Sequence, residues 1–124
     1  MRMLILPNLE DSFGRWYHPE DLRQAVMVYN EVLGELGVGS SDTIALDRVA
    51  VSFKNFRVEE DGWVGDMKIL QTPMGNIVQD FVDDGLKIRP SLRGIGYPTQ
   101  KPGEKFYAHL KRIIAIDIWD VYSV

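Results

Sequence analysis

The chain contains no cysteine, which excludes disulfides, thiolate metal sites and thiol catalysis. It has two histidines, His18 and His109, too few for a histidine-rich metal centre, so no metal or cofactor is expected. No apolar run approaches the roughly 20 residues of a membrane span. Residues 3–6 read MLIL and stop at Pro7, far short of a signal-peptide core. The 14 basic residues stand against 18 acidic ones, and the net charge of -4 is spread along the chain. Nothing forms the basic cluster of a nucleic-acid surface. Neither nucleic acid nor membrane is therefore an expected partner. Internal repeats and low-complexity segments are also missing.

What is present is ordinary globular composition, with 45% hydrophobic and 26% charged residues. Residues 1–124 suit a single domain, large enough to bury about two-thirds of its surface. A soluble intracellular protein is the default expectation.

The most informative stretch is 72–96. Thr72 is a fair helix N-cap, and Pro73 suits the first helical position. Ile77, Val78, Phe81 and Val82 share one side of a helix over 73–84, and Gly85 is placed to end it. The spacing predicts that Ile77, Phe81 and Val82 pack on the core. Leu86 and Ile88 open a strand, which Arg89-Pro90 interrupts because proline cannot donate to a ladder. Ser91 then sits at a strand end or bulge, in a Ser91-Leu92-Arg93-Gly94 turn. By local pattern alone this is an ordinary turn serine.

The rest of the chain supplies a scaffold. Residues 3–6 read as a strand. Arg15, Trp16 and Tyr17 follow a polar loop, either as a stacking cluster or as anchors to the core. Pro19 opens a helix predicted over 19–34, with Leu22, Ala25, Val26, Tyr29 and Leu33 at helical spacing. Residues 37–42 are a flexible loop. Val49, Val51 and Phe53 alternate as a strand, with a bulge near Lys54-Asn55. Asp61-Gly62 turns a hairpin into a strand ending at Ile69. Residues 97–105 read as a loop, and 106–110 and 113–121 as two strands. Asp117 and Asp120 interrupt the last one and are expected at a rim or beside an arginine, since lone buried carboxylates are costly. The fold class is α+β: a small, mainly antiparallel β-barrel with two flanking helices.

Taken in order, these segments resemble the head maturation (prohead) proteases of tailed phages, serine proteases of assemblin-like fold. Arg15-Trp16-Tyr17-His18-Pro19 matches an Arg-x-Tyr-Pro segment with one extra residue. Gly34-Glu35-Leu36-Gly37 matches a Gly-Glu-Leu box, and residues 72–76 match a Thr-Pro-Met-Gly-Asn segment. Residues 91–96 partly match a Ser-Ser-Arg-Gly-Leu-Gly box. The resemblance covers most of the chain, from about Gly14 onward. It implies that Ser91 stands at the nucleophile position and that Arg93 and Gly94 keep the local frame. The family's general base is a histidine following the Gly-Glu-Leu box. Here that position is Val38, which cannot take a proton from a hydroxyl. Leu92 replaces the second serine, and Arg89-Pro90 replaces a small glycine-containing approach.

The resemblance therefore implies a protease fold whose machinery is dismantled. The first expectation is a non-catalytic phage virion or head-assembly protein, found in the virion or host cytoplasm. Its partners would be capsid or other virion proteins, or further copies of itself. Contacts are expected through Arg15, Trp16 and Tyr17 and through Tyr97, because aromatic and arginine anchors dominate binding hot spots. Two alternatives are an active serine endopeptidase using Ser91 with His18 or His109 as displaced base, and a phage-encoded inhibitor of a host system.

Overall fold

The structure, a computed structural model, describes the chain except residues 28, 38, 40, 101, 123 and 124. Its strands are β1 (Arg2–Pro7), β2 (Val32–Glu35), β3 (Val49–Glu59), β4 (Gly62–Ile69), β5 (Ile88–Thr99) and β6 (Tyr107–Asp120). The helices are α1 (Pro19–Val26) and α2 (Pro73–Asp83). Strands β1-β4-β3-β2 form one antiparallel sheet, and β5 and β6 form a long antiparallel ribbon. A parallel bridge between Leu36 and Ile118 joins the two, so the whole curls into a half-barrel. At that junction β2 presses on β6, where a Cβ on Gly34 would collide with the Ile116 carbonyl. Among the described residues β1 and β5 share no ladder, and an open seam lies between them.

The core fills the curl. Leu22 of α1, Val51 and Phe53 of β3, Val78 of α2, and Ile116 and Ile118 of β6 are buried together, with Trp63 of β4 beside them. Helix α1 packs on β6 and β3, and α2 on β3 and β4. Thr72 caps α2 as expected, its Oγ1 accepting from the Gly75 amide at 2.9 Å. Gly85 ends that helix at φ +77°. The bulge at Lys54-Asn55 and the two-residue turn at 60–61 also lie where the pattern placed them.

Several expectations fail for identifiable reasons. Helix α1 ends at Val26, not near 34. Asn30 adopts φ +54°, and Val32 and Leu33 turn away to pair with Phe53 and Ser52. Tyr29 fits the helical period but is 86% exposed. In α2 the inward face is Val78 and Gly75, while Ile77 and Phe81 point outward, 42% and 37% exposed. The predicted Ser91 turn is the interior of β5, whose pairing runs unbroken through Pro90 opposite Ile118. Proline is tolerated because β5 is an edge strand whose other side is unpaired. The pattern's turn character survives as two bulges, at Arg93/Gly94 and Ile95/Gly96. Strand β5 also carries through Tyr97 to Thr99, which shortens the predicted loop. The two strands predicted over 106–121 are one, since Lys111 and Arg112 are solvent-facing ribbon residues and not a break.

Candidate functional site

Arg93 lies at the joint between sheet and ribbon, with its side chain 10% exposed. Its Nε donates to Asp117 Oδ2 at 3.0 Å and its Nη2 to Glu35 Oε2 at 2.7 Å. Its Nη1 donates to the carbonyls of Ser41 and Thr43 at 2.7 and 3.0 Å. Asp117 Oδ1 accepts from the Glu35 amide at 3.0 Å, and Glu35 Oε2 accepts from the Ala45 amide at 3.1 Å. Arg48 stands 3.9 Å from Glu35 at the rim and donates to the Leu36 carbonyl. Burial pushes the Glu35 carboxyl up, but the Ala45 amide, Arg93 and Arg48 outweigh it and hold the group below its ordinary range. Burial likewise opposes the Arg93 charge, and its two carboxylate partners more than restore it. The guanidinium thus staples β2 and the carbonyls of Ser41 and Thr43 onto the ribbon. The arginine expected for Asp117 is therefore Arg93. Glu35 was visible in the sequence only as a box residue, and the missed signal was that a second carboxylate beside a buried strand also needs a cation.

Ser91 is directly opposite Asp117 in the ladder, adjacent to this joint. Its hydroxyl has no hydrogen-bond partner among the described residues, and the Asp117 carboxylate is held by Arg93 and the Glu35 amide. The chain just before position 38 comes close to β5: Gly37 donates to the Ile118 carbonyl at 2.8 Å, and Ile118 pairs with Pro90. Val38 itself lies outside the described residues. Gly94 follows Arg93 at the first β5 bulge, opposite Ile113.

Neither histidine is beside Ser91. His109 is register partner of Tyr97, eight positions from Asp117 along β6. At a strand's rise that is roughly 25 Å. His18 stacks on Tyr107 at 4.2 Å and lies 5.3 Å from the His109 ring. Among the described residues no histidine side chain lies beside the Ser91 hydroxyl.

Beside Ser91 a cleft of about 700 Å³ opens along the β1/β5 seam. Leu4, Phe13, Trp16, Arg89 and Trp119 line it together with Ser91. Phe13 stands 82% exposed at its mouth. Arg89 lies over the Trp119 ring at 5.1 Å, and the buried Trp119 indole N–H has no acceptor among the described residues. Arg15 lines the same cleft but is paired with Asp11 at 2.7 Å. Trp16 carries Lys105 over its ring at 3.9 Å. Tyr17 departs from the expected contact surface: it is buried, its hydroxyl donating to Asp11 Oδ2 at 2.8 Å. Burial, then the Asp11 carboxylate, pushes its phenol upward. Tyr97 remains half exposed at the far end of the ribbon.

This arrangement of curled sheet, crossing ribbon and two helices is the fold of a phage capsid protease. The chain superposes on the bacteriophage T4 capsid assembly protease, gp21, with a TM-score of 0.73 at 16% identity. The match covers 90% of this chain and 77% of that one. No protein-family model matches the sequence. No curated protein sequence matches it either.

Proposed function

We propose that the chain is a non-catalytic head-assembly protein of a tailed phage, which keeps the capsid-protease fold as a binding module. The observation that carries this reading is the placement of both histidines at the far end of the ribbon, away from Ser91. A serine hydroxyl without an adjacent base is a weak nucleophile. Asp117 cannot replace that base, because its carboxylate is committed to Arg93. The cleft beside Ser91 is of ordinary ligand-site size, largely apolar, and edged by the unpaired sides of β1 and β5. An extended polypeptide suits such edges, since its backbone supplies the missing ladder partners. Phe13 and Trp16 give the aromatic anchors, and Arg89 a cation. The partner is a capsid or scaffolding polypeptide, or a second copy of this chain, and the protein's place is the virion or the host cytoplasm.

The test is a titration of the purified chain with major capsid and scaffolding proteins of the encoding phage, read by tryptophan fluorescence. Binding that weakens in Phe13→Ala and Arg89→Ala supports the reading. Binding to none of them, with light scattering showing a monomer, overturns it.

A further inference from the structure

The ribbon's far end holds a second constellation, separate from the Ser91 cleft. Thr99 Oγ1 lies 2.6 Å from His109 Nε2. On the other side of the same ring, Nδ1 lies 3.6 Å from Asp21 Oδ2. That carboxylate oxygen is buried and has no hydrogen-bond partner among the described residues. The imidazole stacks on Tyr97 at 5.0 Å and lies tilted against the His18 ring at 5.3 Å. Three elements converge here: α1 brings Asp21, β5 brings Thr99 and β6 brings His109.

We propose that Thr99, His109 and Asp21 form a relay that activates the Thr99 hydroxyl as an acceptor for acyl groups from activated esters. The three groups stand in the order such a relay needs, with Asp21 Oδ2 at 3.6 Å from Nδ1, beyond hydrogen-bond distance in this structure. The relay requires the tautomer with its proton on Nδ1, toward Asp21, which leaves the Nε2 lone pair facing the hydroxyl. Thr99 is exposed, so an electrophile can reach it. In the step, Thr99 Oγ1 bonds to the ester carbonyl carbon while its proton passes to His109 Nε2. The ester C–O bond then breaks, and the same proton passes to the departing alkoxide. Thr99 is left as its own ester and the alcohol is released; this is a single self-acylation without turnover, so it does not make the chain a catalyst. Asp21 is a positioning residue and touches no reacting atom.

The test is labelling of the intact chain with a fluorophosphonate, mapped by mass spectrometry. Here the new P–O bond replaces P–F, fluoride leaves and the proton stays on His109. The expected label is on Thr99. It is absent in Thr99→Val, kept in Thr99→Ser and slowed roughly 100-fold in His109→Gln, the usual scale of general-base assistance. Asp21→Asn shifts the His109 ¹⁵N resonances away from the Nδ1-protonated tautomer and also slows labelling, a rate change that a merely structural contact would not produce. If His109→Gln does not fold, Asp21→Asn and Thr99→Ser decide the matter. An unlabelled Thr99, or labelling indifferent to His109 and Asp21, overturns the relay. A label on Ser91 leaves the relay standing and overturns the proposed function instead, so the two failures are distinguishable.

Discussion

Arg93 is the residue on which the site's architecture turns. It serves two buried carboxylates and two carbonyls at once, a task that suits a planar fork of five donors. Arg93→Met leaves Glu35 and Asp117 buried without their cation and should cost about 3–5 kcal/mol in urea unfolding. Arg93→Lys should recover only part of that, because a point ammonium cannot reach all four acceptors. A loss under about 1 kcal/mol for the methionine variant would contradict the staple. The carboxyls also set an acid limit. Glu35 titrates below its ordinary 4.5 in the folded chain despite burial. Asp11 is similarly lowered: Tyr17 and Arg15 outweigh its burial. A lowered folded-state value means that the folded chain binds protons less readily than the unfolded one. The stability these groups add is complete above the ordinary carboxylate range and is lost as pH falls through it. The melting temperature should therefore drop as pH falls below 4.5. Glu35→Gln should flatten that dependence while lowering stability near neutrality. An unchanged pH slope in that variant would show that Glu35 is not the linked group.

Among the elements, α2 separates what local pattern can say from what it cannot. Its cap, proline start and glycine stop are local chemistry, and the sequence predicts all three correctly. Thr72→Ala should cost about 0.5–2 kcal/mol, since Oγ1 both accepts from Gly75 and donates to the Val49 carbonyl. Which side of the helix turns inward is set by the sheet it meets. The apolar set of Ile77, Val78, Phe81 and Val82 spans both options. Phe81→Ala should therefore cost near 1 kcal/mol and not the 3–5 of a buried phenylalanine, whereas fully buried Leu22→Ala should cost about 2–5. Equal losses from the two, in parallel denaturant titrations, would contradict the orientation of α2. The same limit explains β2. Val32 and Leu33 fit a helical stripe as well as a strand, and only pairing with Phe53 and Ser52 decides between them. Ser91 was misplaced by reading Pro90 as a break. A proline ends a central strand but not an edge strand, and edge status is a property of the assembled sheet. Likewise the Arg93–Glu35–Asp117 joint links positions up to 82 apart, beyond any local window.

At the scale of the whole molecule, the half-barrel holds two separate side-chain clusters at opposite ends of one ribbon. Near the joint, Ser91 opens on a wide apolar cleft with its ladder neighbour committed to Arg93. At the far end both histidines gather with Tyr97, Tyr107 and Thr99. The fold is similar to that of a capsid assembly protease, and in this chain Ser91 and His109 lie far apart along the longest strand pair. Binding in the cleft without cleavage is the central claim, and incubation with head proteins tests it most directly. The purified chain and its Ser91→Ala variant are each incubated with the encoding phage's capsid and scaffolding proteins, and intact masses are followed over time. Both are expected to leave every polypeptide at full length. Fragments that accumulate with the native chain and vanish with Ser91→Ala would contradict it.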